Sequence, residues 1–387
     1  MILAQNTYNP ITIDRLESFI QMPNRDLSPQ KLPEFMREGV CLDVRSPGEY
    51  RVGHIPGALP MPLLSDAERA QTGITYKERG RDVAVQQALV WAGPKMAAFV
   101  EQARRLSTGR PLILYCWRGG MRSHSMAWLL QQAGLEVIVL EGGYRNWRHF
   151  IFDVMASWGK WVVIGGPTGS GKTRLLHALQ EKGEQILDLE RLANHRGSAF
   201  GALGLSPQPG NEQFISDIGW AISGMKRGRR IWVEDESSMI GSLHLPEIVV
   251  GRLSSSRFVY LQTDPRRRIR ELVDEYGHLP KWELEDSFRK ISRKIGGQYL
   301  NKALEALNGD RLDEAAGIAL RYYDRAYARS LTSRHPSGGL LLEWGEHEDA
   351  EQVAHRCLRM IQGKGSQTKC FISHQTLSTE VKSIPAI

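Results

Sequence analysis

The chain has 387 residues, of which 41% are hydrophobic, and it carries a formal net charge of +7. At roughly 100–200 residues per domain, this length predicts two or three domains, and the basic charge favours a polyanionic partner. No apolar run approaches the roughly 20 residues that span a bilayer, and the first residues lack the features of a signal peptide. The sequence therefore predicts a cytoplasmic protein that does not engage a membrane.

The four cysteines, Cys41, Cys116, Cys357 and Cys370, are widely spaced, and none belongs to a C-x-x-C pair. This spacing argues against a zinc site or a dithiol redox site. In a cytoplasmic protein the thiols are expected to be reduced.

The first 150 residues alternate short apolar segments with helical patterns. "GVCLDVR", "RPLILYC" and "LEVIVLEGG" predict strands, and "SHSMAWLLQQAG" predicts a helix that ends at Gly134. Strands that alternate with helices indicate a parallel sheet with helices on both faces. The polar segment "SDAERAQTGITYKERGRDVAVQQ" interrupts the pattern, and we interpret it as an inserted loop with some helix.

Cys116 is the cysteine whose surroundings predict reactivity. It ends a predicted strand, and the turn "WRGGMR" follows before the next helix. Backbone amides of such a turn, the helix N-terminus and nearby arginines lower a thiol pKa and can hold an anion. We therefore predict Cys116, Arg118 and Arg122 as catalytic residues. The alternative, a small buried cysteine without chemistry, suits Cys41 in its apolar strand better.

Two further segments resemble the rhodanese family. "LEGGYRNW" (Leu140 to Trp147) is similar to the end of a rhodanese domain, and "CLDVRSPGEYRVGHIPGALPMPL" is similar to its beginning. Cys116 lies where that family carries its persulfide-forming cysteine. The residues that match the first segment are Asp43, Arg45, Glu49, Gly53, His54, Ile55, Gly57 and Ala58.

The loop after Cys116 departs from the sulfur-carrying members of that family. Five residues, Trp117 to Met121, separate Cys116 from Arg122, which is one residue more than those members have. The longer loop resembles that of rhodanese-fold phosphatases, although Tyr115, and no histidine, precedes the cysteine. We predict a loop sized for a phosphate-like anion, formed around Cys116 by Trp117, Gly119, Gly120, Met121 and Ser123.

A second α/β unit begins near Trp158. The segment "KWVVIGGPTGSGKTRLLHALQEKG" predicts a strand, a glycine-rich loop and a helix, and "EQILDLE", "RRIWVEDES" and "RFVYLQTD" predict three more strands. The loop fits the P-loop pattern G-x-x-x-x-G-K-[ST] in its required context, between a strand and a helix. Its glycines let backbone amides surround phosphate oxygens, and the predicted phosphate-binding residues are Gly166, Thr168, Gly169, Ser170, Gly171, Lys172 and Thr173.

Acidic residues follow the predicted strand "RRIWV". Glu234, Asp235 and Glu236 stand where an acid could reach a metal ion or a water molecule, although a solvated strand end would have the same pattern. Because Thr173 can hold Mg²⁺, that ion is allowed at the site, and no tightly bound cofactor is expected. His195 and Arg196 are interpreted as lining the P-loop site or capping a loop.

From about Asp264 to Gln362 the pattern is helical, with one late strand in "GGLLLEWG". The predicted fold class is α/β: an N-terminal rhodanese-like parallel-sheet domain, then a P-loop NTPase-like α/β domain with a helical C-terminal part. The predicted limits are 10–152, 158–264 and 265–362, followed by a tail at 363–387 that is polar and typical of disorder.

A rhodanese domain joined to a P-loop domain, with "CWRGGMRS" in one and "GGPTGSGKT" in the other, resembles the tRNA 2-selenouridine synthase family. Further matching segments are "DLERLANHRGSAFG", "PQPGNEQF", "VEDES" and "RYYDRAY". The resemblance implies a tRNA substrate whose wobble 2-thiouridine becomes 2-selenouridine, selenophosphate as the selenium donor, and an S-geranyl intermediate made from geranyl diphosphate. It leaves open whether Cys116 forms a selenopersulfide or only orients selenophosphate, and it leaves the oligomeric state open.

A tRNA partner requires a basic surface, because phosphate contacts supply much of the affinity. The strongest basic runs contain Arg227, Arg229 and Arg230, and Arg266, Arg267 and Arg268. Unpaired bases stack on aromatic side chains, for which Tyr322, Tyr323 and Tyr327 are candidates. A solvated basic face and helical core packing of the tyrosines are the alternative interpretations.

Other functions stay open at this point. A P-loop kinase or NTPase fused to a phosphatase-like rhodanese domain is one, and the missing histidine before Cys116 weakens it. A thiosulfate sulfurtransferase with an attached ATPase is another. A non-enzymatic regulatory module is the third, and the intact Cys116, Lys172 and acidic strand end argue against it.

Overall fold

The computed structural model describes residues 26–336, 338–363 and 370–371. The chain divides into two compact units, 1–150 and 151–387. Residues 10–25 of the predicted first domain and most of the predicted disordered tail lie outside the described residues. No helix in the described part of the chain is long and apolar enough to cross a membrane.

The first unit is built on a five-stranded parallel sheet with the order β1-β5-β4-β2-β3. Its strands are β1 (Asp26–Leu27), β2 (Val40–Asp43), β3 (Leu59–Pro60), β4 (Leu112–Tyr115) and β5 (Val137–Leu140). Its helices are α1 (Leu32–Phe35), α2 (Pro47–Val52), α3 (Asp66–Arg79), α4 (Arg81–Ala92), α5 (Met96–Ser107), α6 (Met121–Gln132) and α7 (Gly143–Ser157), of which α7 continues across the division between the units.

The central strands of this sheet are buried on both faces. Every residue of β2, β4 and β5 is buried. Strands of parallel sheets that are covered by helices on both faces typically have such continuous apolar sequences. The two short edge strands carry no comparable sequence signal, because two residues are too few for a periodic pattern. At the end of β2 the Arg45 guanidinium binds the Asp43 carboxylate through both nitrogens that face it and lies 4.0 Å from the Tyr144 ring centroid.

The segment predicted as an inserted loop is a pair of helices, α3 and α4. Ser65 and Glu68 form a capping box at the start of α3, with reciprocal side-chain and backbone hydrogen bonds. Such a box satisfies two amides that would otherwise lack partners. The loop interpretation is therefore wrong over most of the segment, since its polarity reflects exposed helix faces.

The second unit contains a six-stranded sheet with the order β13-β12-β11-β6-β8-β7, parallel except for β13. The strands, with a separate hairpin β9–β10, are β6 (Lys160–Gly165), β7 (Gln185–Leu187), β8 (Arg230–Glu234), β9 (Met239–Ile240), β10 (Leu243–His244), β11 (Arg257–Thr263), β12 (Gly339–Trp344) and β13 (Cys370–Phe371).

The helices of this unit form two groups. Those around the sheet are α8 (Lys172–Glu181), α9 (Leu189–Ala193), α10 (Asn211–Ser223), α11 (Glu247–Ser255) and α17 (Ala350–Ile361). The helical part comprises α12 (Pro265–Tyr276), α13 (Lys281–Lys290), α14 (Ser292–Ile295), α15 (Gly297–Asn308) and α16 (Leu312–Arg334), with its own apolar core around Phe200, Phe288 and Leu307.

The α/β prediction is confirmed for both units, and "GGLLLEWG" forms the predicted strand, β12. The disorder prediction is wrong at residues 370–371, which pair antiparallel with β12.

A buried ion pair joins α12 to α16. The Arg268 guanidinium binds the Asp324 carboxylate at 2.5 and 3.1 Å, and both residues are buried. The same guanidinium donates from Nε to the Thr168 carbonyl oxygen at 2.9 Å. The helical part is thus fastened to the glycine-rich loop after β6.

We expect Asp324→Ala to lower the free energy of unfolding by about 3–5 kcal/mol, because it leaves the Arg268 charge buried without a counter-charge. Urea unfolding of the full chain measures the change. Glu314→Ala, which breaks the exposed pair with Arg311 on the same helix, is the control and should leave stability nearly unchanged. Equal effects of the two substitutions would contradict the role assigned to the buried pair.

Candidate active site

Cys116 follows β4, a central strand of the first sheet, at the carboxyl ends where parallel α/β sheets bind ligands. The residue is 3% exposed. Its Sγ accepts hydrogen bonds from the Gly120 amide and the Ser123 hydroxyl, both at 3.3 Å. Helix α6 begins at Met121, the residue after Gly120. The sulfur therefore lies at a helix N-terminus, where the helix dipole favours negative charge.

These contacts change the acidity of the thiol. Burial raises the pKa of Cys116, but the Ser123 hydrogen bond, the Arg122 charge and the Arg118 amide together outweigh it, so the pKa lies below the ordinary thiol value. Burial is the main cause that raises the pKa values of Cys41 and Cys357 above the ordinary thiol value. Cys116 is therefore the thiol with enhanced thiolate character among the described residues.

The two predicted arginines differ in their surroundings. Arg122 is partly buried and binds Glu49, with 2.8 Å between Nη1 and Oε2. Arg118 is exposed and has no ion pair within the part of the chain that the structure describes. Arg122 is thus held in place, whereas Arg118 is available to an anion. Trp117 and Met121 are 40% and 47% exposed and form an apolar rim beside the loop.

The loop is braced by the turn that follows β5. A Cβ on Gly143 would lie 2.2 Å from the Cys116 carbonyl oxygen, and a Cβ on Gly119 would lie 2.8 Å from the Gly143 amide nitrogen. Both glycines have positive φ, +59° and +62°, and the Tyr144 amide donates to the Cys116 carbonyl at 2.9 Å. The "WRGG" and "LEGGY" segments are therefore two sides of one backbone contact that excludes side chains.

The P-loop lies between β6 and α8, as the sequence predicts. Gly169 and Gly171 have φ of +73° and +86°. Lys172 begins α8, and its Nζ donates to the Gly166 carbonyl oxygen at 2.9 Å. A Cβ on Gly171 would lie 2.8 Å from the Trp344 ring, so the loop has no room for a side chain there.

Three glutamates surround Thr173 and Lys172. Burial and Glu190 raise the pKa of Glu234 well above its ordinary value, and burial and Glu190 raise that of Glu236 to about 8. The Thr173 hydroxyl lies 3.3 Å from Glu190 Oε2. Glu236 belongs to the acidic strand end predicted from sequence, whereas no sequence signal assigns a role to Glu190, because only the fold brings it beside the P-loop.

Asp235 has a structural role. Its carboxylate accepts from Arg334 at 2.6 Å, from His335 at 2.9 Å and from the Tyr327 hydroxyl at 3.3 Å. The Tyr327 hydroxyl in turn accepts from the Gly166 amide at 2.7 Å. Asp235 therefore fastens the end of α16 to the P-loop, and Tyr327, which is engaged here, is not free to stack on a base as predicted.

The donor set around Thr173 suits Mg²⁺. A hydroxyl and carboxylates are hard oxygen ligands, and Mg²⁺ typically takes one or two carboxylates together with phosphate oxygens and water. Within the described residues no group of three His, Cys, Asp or Glu side chains forms a complete metal site. Thr173 and Glu190 would thus hold the ion only together with a bound phosphate.

Two cavities meet beside the P-loop. One is a polar cleft of about 740 Å³ that contains the P-loop, Glu190, Arg196 and Glu236. The other is an apolar pocket of about 60 Å³ inside the helical part. Both are lined by Thr168, Ser198, Leu272, Tyr276 and Tyr323. Arg196 lines the cleft as predicted, whereas His195 accepts from the Gly197 amide and caps its own loop.

The predicted RNA-contacting arginines are engaged to different degrees. Arg268 is buried, so its prediction as a tRNA contact is wrong. Arg267 stacks on Trp344, with 4.4 Å to the ring centroid, and donates to the Glu348 carbonyl. Arg229 donates to the Gly183 carbonyl and Arg230 binds Glu184. Arg227 and Arg266 stay predictions as tRNA contacts.

The two remaining tyrosine candidates pack against the helical core. Tyr323 accepts from the Ala199 amide at 3.1 Å and lines both cavities. This position fits core packing, the alternative interpretation, better than base stacking. Tyr322 lies beside it, with 5.0 Å between ring centroids, and is partly exposed.

The fold and the two glycine-rich loops define a rhodanese-like domain joined to a P-loop domain. Residues 28–150 match the family model of the rhodanese-like domain, and residues 159–308 match that of the tRNA 2-selenouridine synthase AAA domain. The chain belongs to the tRNA 2-selenouridine synthase family.

Curated relatives support this assignment over most of the chain. The tRNA 2-selenouridine synthase of Marinobacter nauticus is 31% identical, covering 87% of this chain and 99% of the relative. That of Bordetella petrii is 36% identical, covering 76% and 87%. That of Shewanella denitrificans is 29% identical, covering 78% and 90%.

We expect Ser123→Ala to raise the pKa of Cys116, because it removes the hydroxyl that stabilises the thiolate. The rate of alkylation by iodoacetamide, measured from pH 5 to 10 with mass spectrometry of the Cys116 peptide, should titrate at higher pH in the variant. Ser125→Ala, an exposed position on the same helix, should titrate as the unmodified protein does. An unchanged titration in Ser123→Ala would contradict this account of the thiol.

Proposed function

We propose that this protein converts the wobble 2-thiouridine of tRNA to 2-selenouridine, with selenophosphate bound at the Cys116 loop and geranyl diphosphate bound at the P-loop. Family membership and the names of the curated relatives support tRNA selenouridine synthesis. The paired cavities support the choice of a prenyl diphosphate as the ligand of the P-loop.

The apolar pocket beside the P-loop is the observation that carries this choice. A nucleoside triphosphate would place a polar base and ribose next to the phosphate cradle, whereas this pocket has an apolar wall formed by leucines, alanines and aromatic rings. Burial of apolar carbon contributes about 0.8 kcal/mol per CH₂. A diphosphate with a hydrocarbon tail would satisfy both cavities at once.

The volume of the apolar pocket indicates how much of the hydrocarbon tail it can hold. A water molecule needs about 10–15 Å³ of such volume, so the 60 Å³ pocket holds about four to six atoms of that size, which corresponds to one isoprene unit. The first isoprene unit of a geranyl chain would lie at the shared wall, and the second would enter the pocket.

The chemistry then divides between the two sites. At the P-loop, the 2-thiouridine sulfur attacks C1 of the geranyl group and the diphosphate leaves, with its charge held by the loop amides and Lys172. S-geranylation converts the sulfur into a leaving group. The selenium of selenophosphate, delivered through the Cys116 loop, bonds to C2 as geranylthiolate departs, and water cleaves the P–Se bond to release phosphate.

The Cys116 loop suits the second step for two reasons. Its amides, the α6 N-terminus and Arg118 would bind the phosphate-like end of the donor. The lowered thiol pKa of Cys116 provides a nucleophilic sulfur near that anion.

The division of labour is tested by two substitutions. Cys116→Ala should abolish selenium incorporation and leave S-geranylation largely intact, whereas Lys172→Ala should impair both by weakening diphosphate binding. Nucleoside mass spectrometry of 2-thiouridine tRNA incubated with each variant measures both products. Lys182→Ala, at the other end of α8, is the control for Lys172→Ala. Equal loss of both products in a folded Cys116→Ala protein would refute the division.

The apolar pocket is tested by filling it. Ala316→Leu should weaken binding of geranyl diphosphate about 10-fold or more, because it occupies the space of two or three buried carbons. Binding of inorganic diphosphate should stay unchanged, since the P-loop is untouched. Ala328→Leu on the same helix, outside the pocket lining, is the matched control. Calorimetric affinities that are equal for all three proteins would exclude this pocket as the tail site.

A further inference from the structure

A basic groove crosses the helical part on the surface formed by α14, α15 and α16. Its volume is about 310 Å³. Among the described residues that line it, the polar ones are four cations and two tyrosines, and none is acidic. These six residues are Lys294, Tyr299, Arg321, Tyr322, Arg325 and Arg329.

The three arginines recur at every fourth position of α16, so they lie along one face of that helix. Like charges four residues apart destabilise a helix. Lys294, Arg325 and Arg329 have no ion pair within the described residues. This contrasts with Arg268 and Arg334, which bind Asp324 and Asp235.

The tyrosines add a second kind of contact. Tyr299 is 36% exposed although its neighbours in α15 help to form the core. Tyr322 is supported from behind by Tyr323, which keeps its ring in place at the groove. A row of cations beside exposed aromatic rings is the arrangement that binds single-stranded nucleic acid, with phosphates on the cations and bases stacked on the rings.

The groove adjoins the P-loop cleft. Ala326 of α16 lines both, so an RNA strand held in the groove would lie next to the cleft. The cleft is where the proposed function places the thiolated uridine.

We propose that this groove binds the unpaired anticodon-loop strand of the tRNA and leads the wobble nucleotide into the P-loop cleft. Arg325, Arg329 and Lys294 bind its phosphates, and Tyr299 and Tyr322 stack on its bases. This assignment rests on the proposed function, since it takes tRNA as the substrate, and it replaces Arg268 and Tyr327 as tRNA contacts.

The test measures binding of a 2-thiouridine anticodon stem–loop to the full chain as a function of salt. Neutralising two phosphate contacts with Arg325→Gln and Arg329→Gln should weaken binding about 10-fold or more. The slope of log affinity against log salt should fall by about 1.4, since each contact with a single strand contributes about 0.7. Arg79→Gln with Arg81→Gln, which makes the same change in net charge at two exposed positions outside the predicted tRNA contacts, should leave the slope unchanged.

The stacking contact is tested separately with Tyr299, whose exposure makes its replacement tolerable to the fold. Tyr299→Ala should weaken binding about 5-fold or more, whereas Tyr299→Phe, which keeps the ring, should bind as the unmodified protein does. Circular dichroism and geranyl diphosphate affinity, both expected to be unchanged, verify that each variant is folded and that its P-loop site is intact.

The possible failures are distinguishable. If the unmodified protein does not bind the stem–loop, the proposed function is wrong and the groove assignment falls with it. If it binds and the groove variants keep the same affinity and salt slope, the groove assignment alone is wrong. A larger loss on Arg227→Gln with Arg229→Gln than on the groove substitutions would place the RNA on that predicted basic run and overturn the groove assignment.

Discussion

Both candidate sites depend on one constraint, a glycine-rich turn that joins the carboxyl end of a central parallel strand to a helix. The turn must expose backbone amides to an anion, and it can do so only if no Cβ stands between them and the ligand. Gly143 keeps the Cys116 loop in contact with its bracing turn, and Gly171 lets the P-loop pack on Trp344. The chemistry of each site then follows from what surrounds its turn: a thiol in one, and a lysine with buried glutamates in the other.

The second unit arranges its charges according to whether they support the fold or face a ligand. Buried cations such as Arg268 have a carboxylate partner, because a desolvated charge without one is costly. The buried Asp235 carboxylate likewise has cationic and hydroxyl partners, and these contacts fasten α16 to the P-loop. The raised pKa values of Glu234 and Glu236 reduce the negative charge that a diphosphate would meet. Within the described residues, Lys294, Arg325 and Arg329 of the basic groove have no ion pair, so their charge is available to a polyanion.

One helix of the helical part, α16, borders three cavities. Residues on successive faces of α16 line the apolar pocket, the P-loop cleft and the basic groove. A hydrocarbon tail, a diphosphate and an RNA strand could therefore approach the same place from different sides. The buried contacts of Asp324 and Tyr327 hold this helix rigidly enough for that arrangement.

Much of this protein was determined by its sequence alone. Long apolar strands, the P-loop pattern and the paired rhodanese segments are local signals, so they specified the α/β class, the strand "GGLLLEWG" and the two loops. The edge strand Leu59–Pro60 and the helical pair α3–α4 were missed because short or polar elements lack a clear period. Only the tertiary structure decided which charged side chains have a partner. Arg268 and Arg325 look alike in sequence, but packing places the buried Asp324 carboxylate against Arg268, whereas Arg325 has no ion pair within the described residues. The same holds for the apolar pocket, whose wall combines residues from four helices and two loops that no local pattern connects.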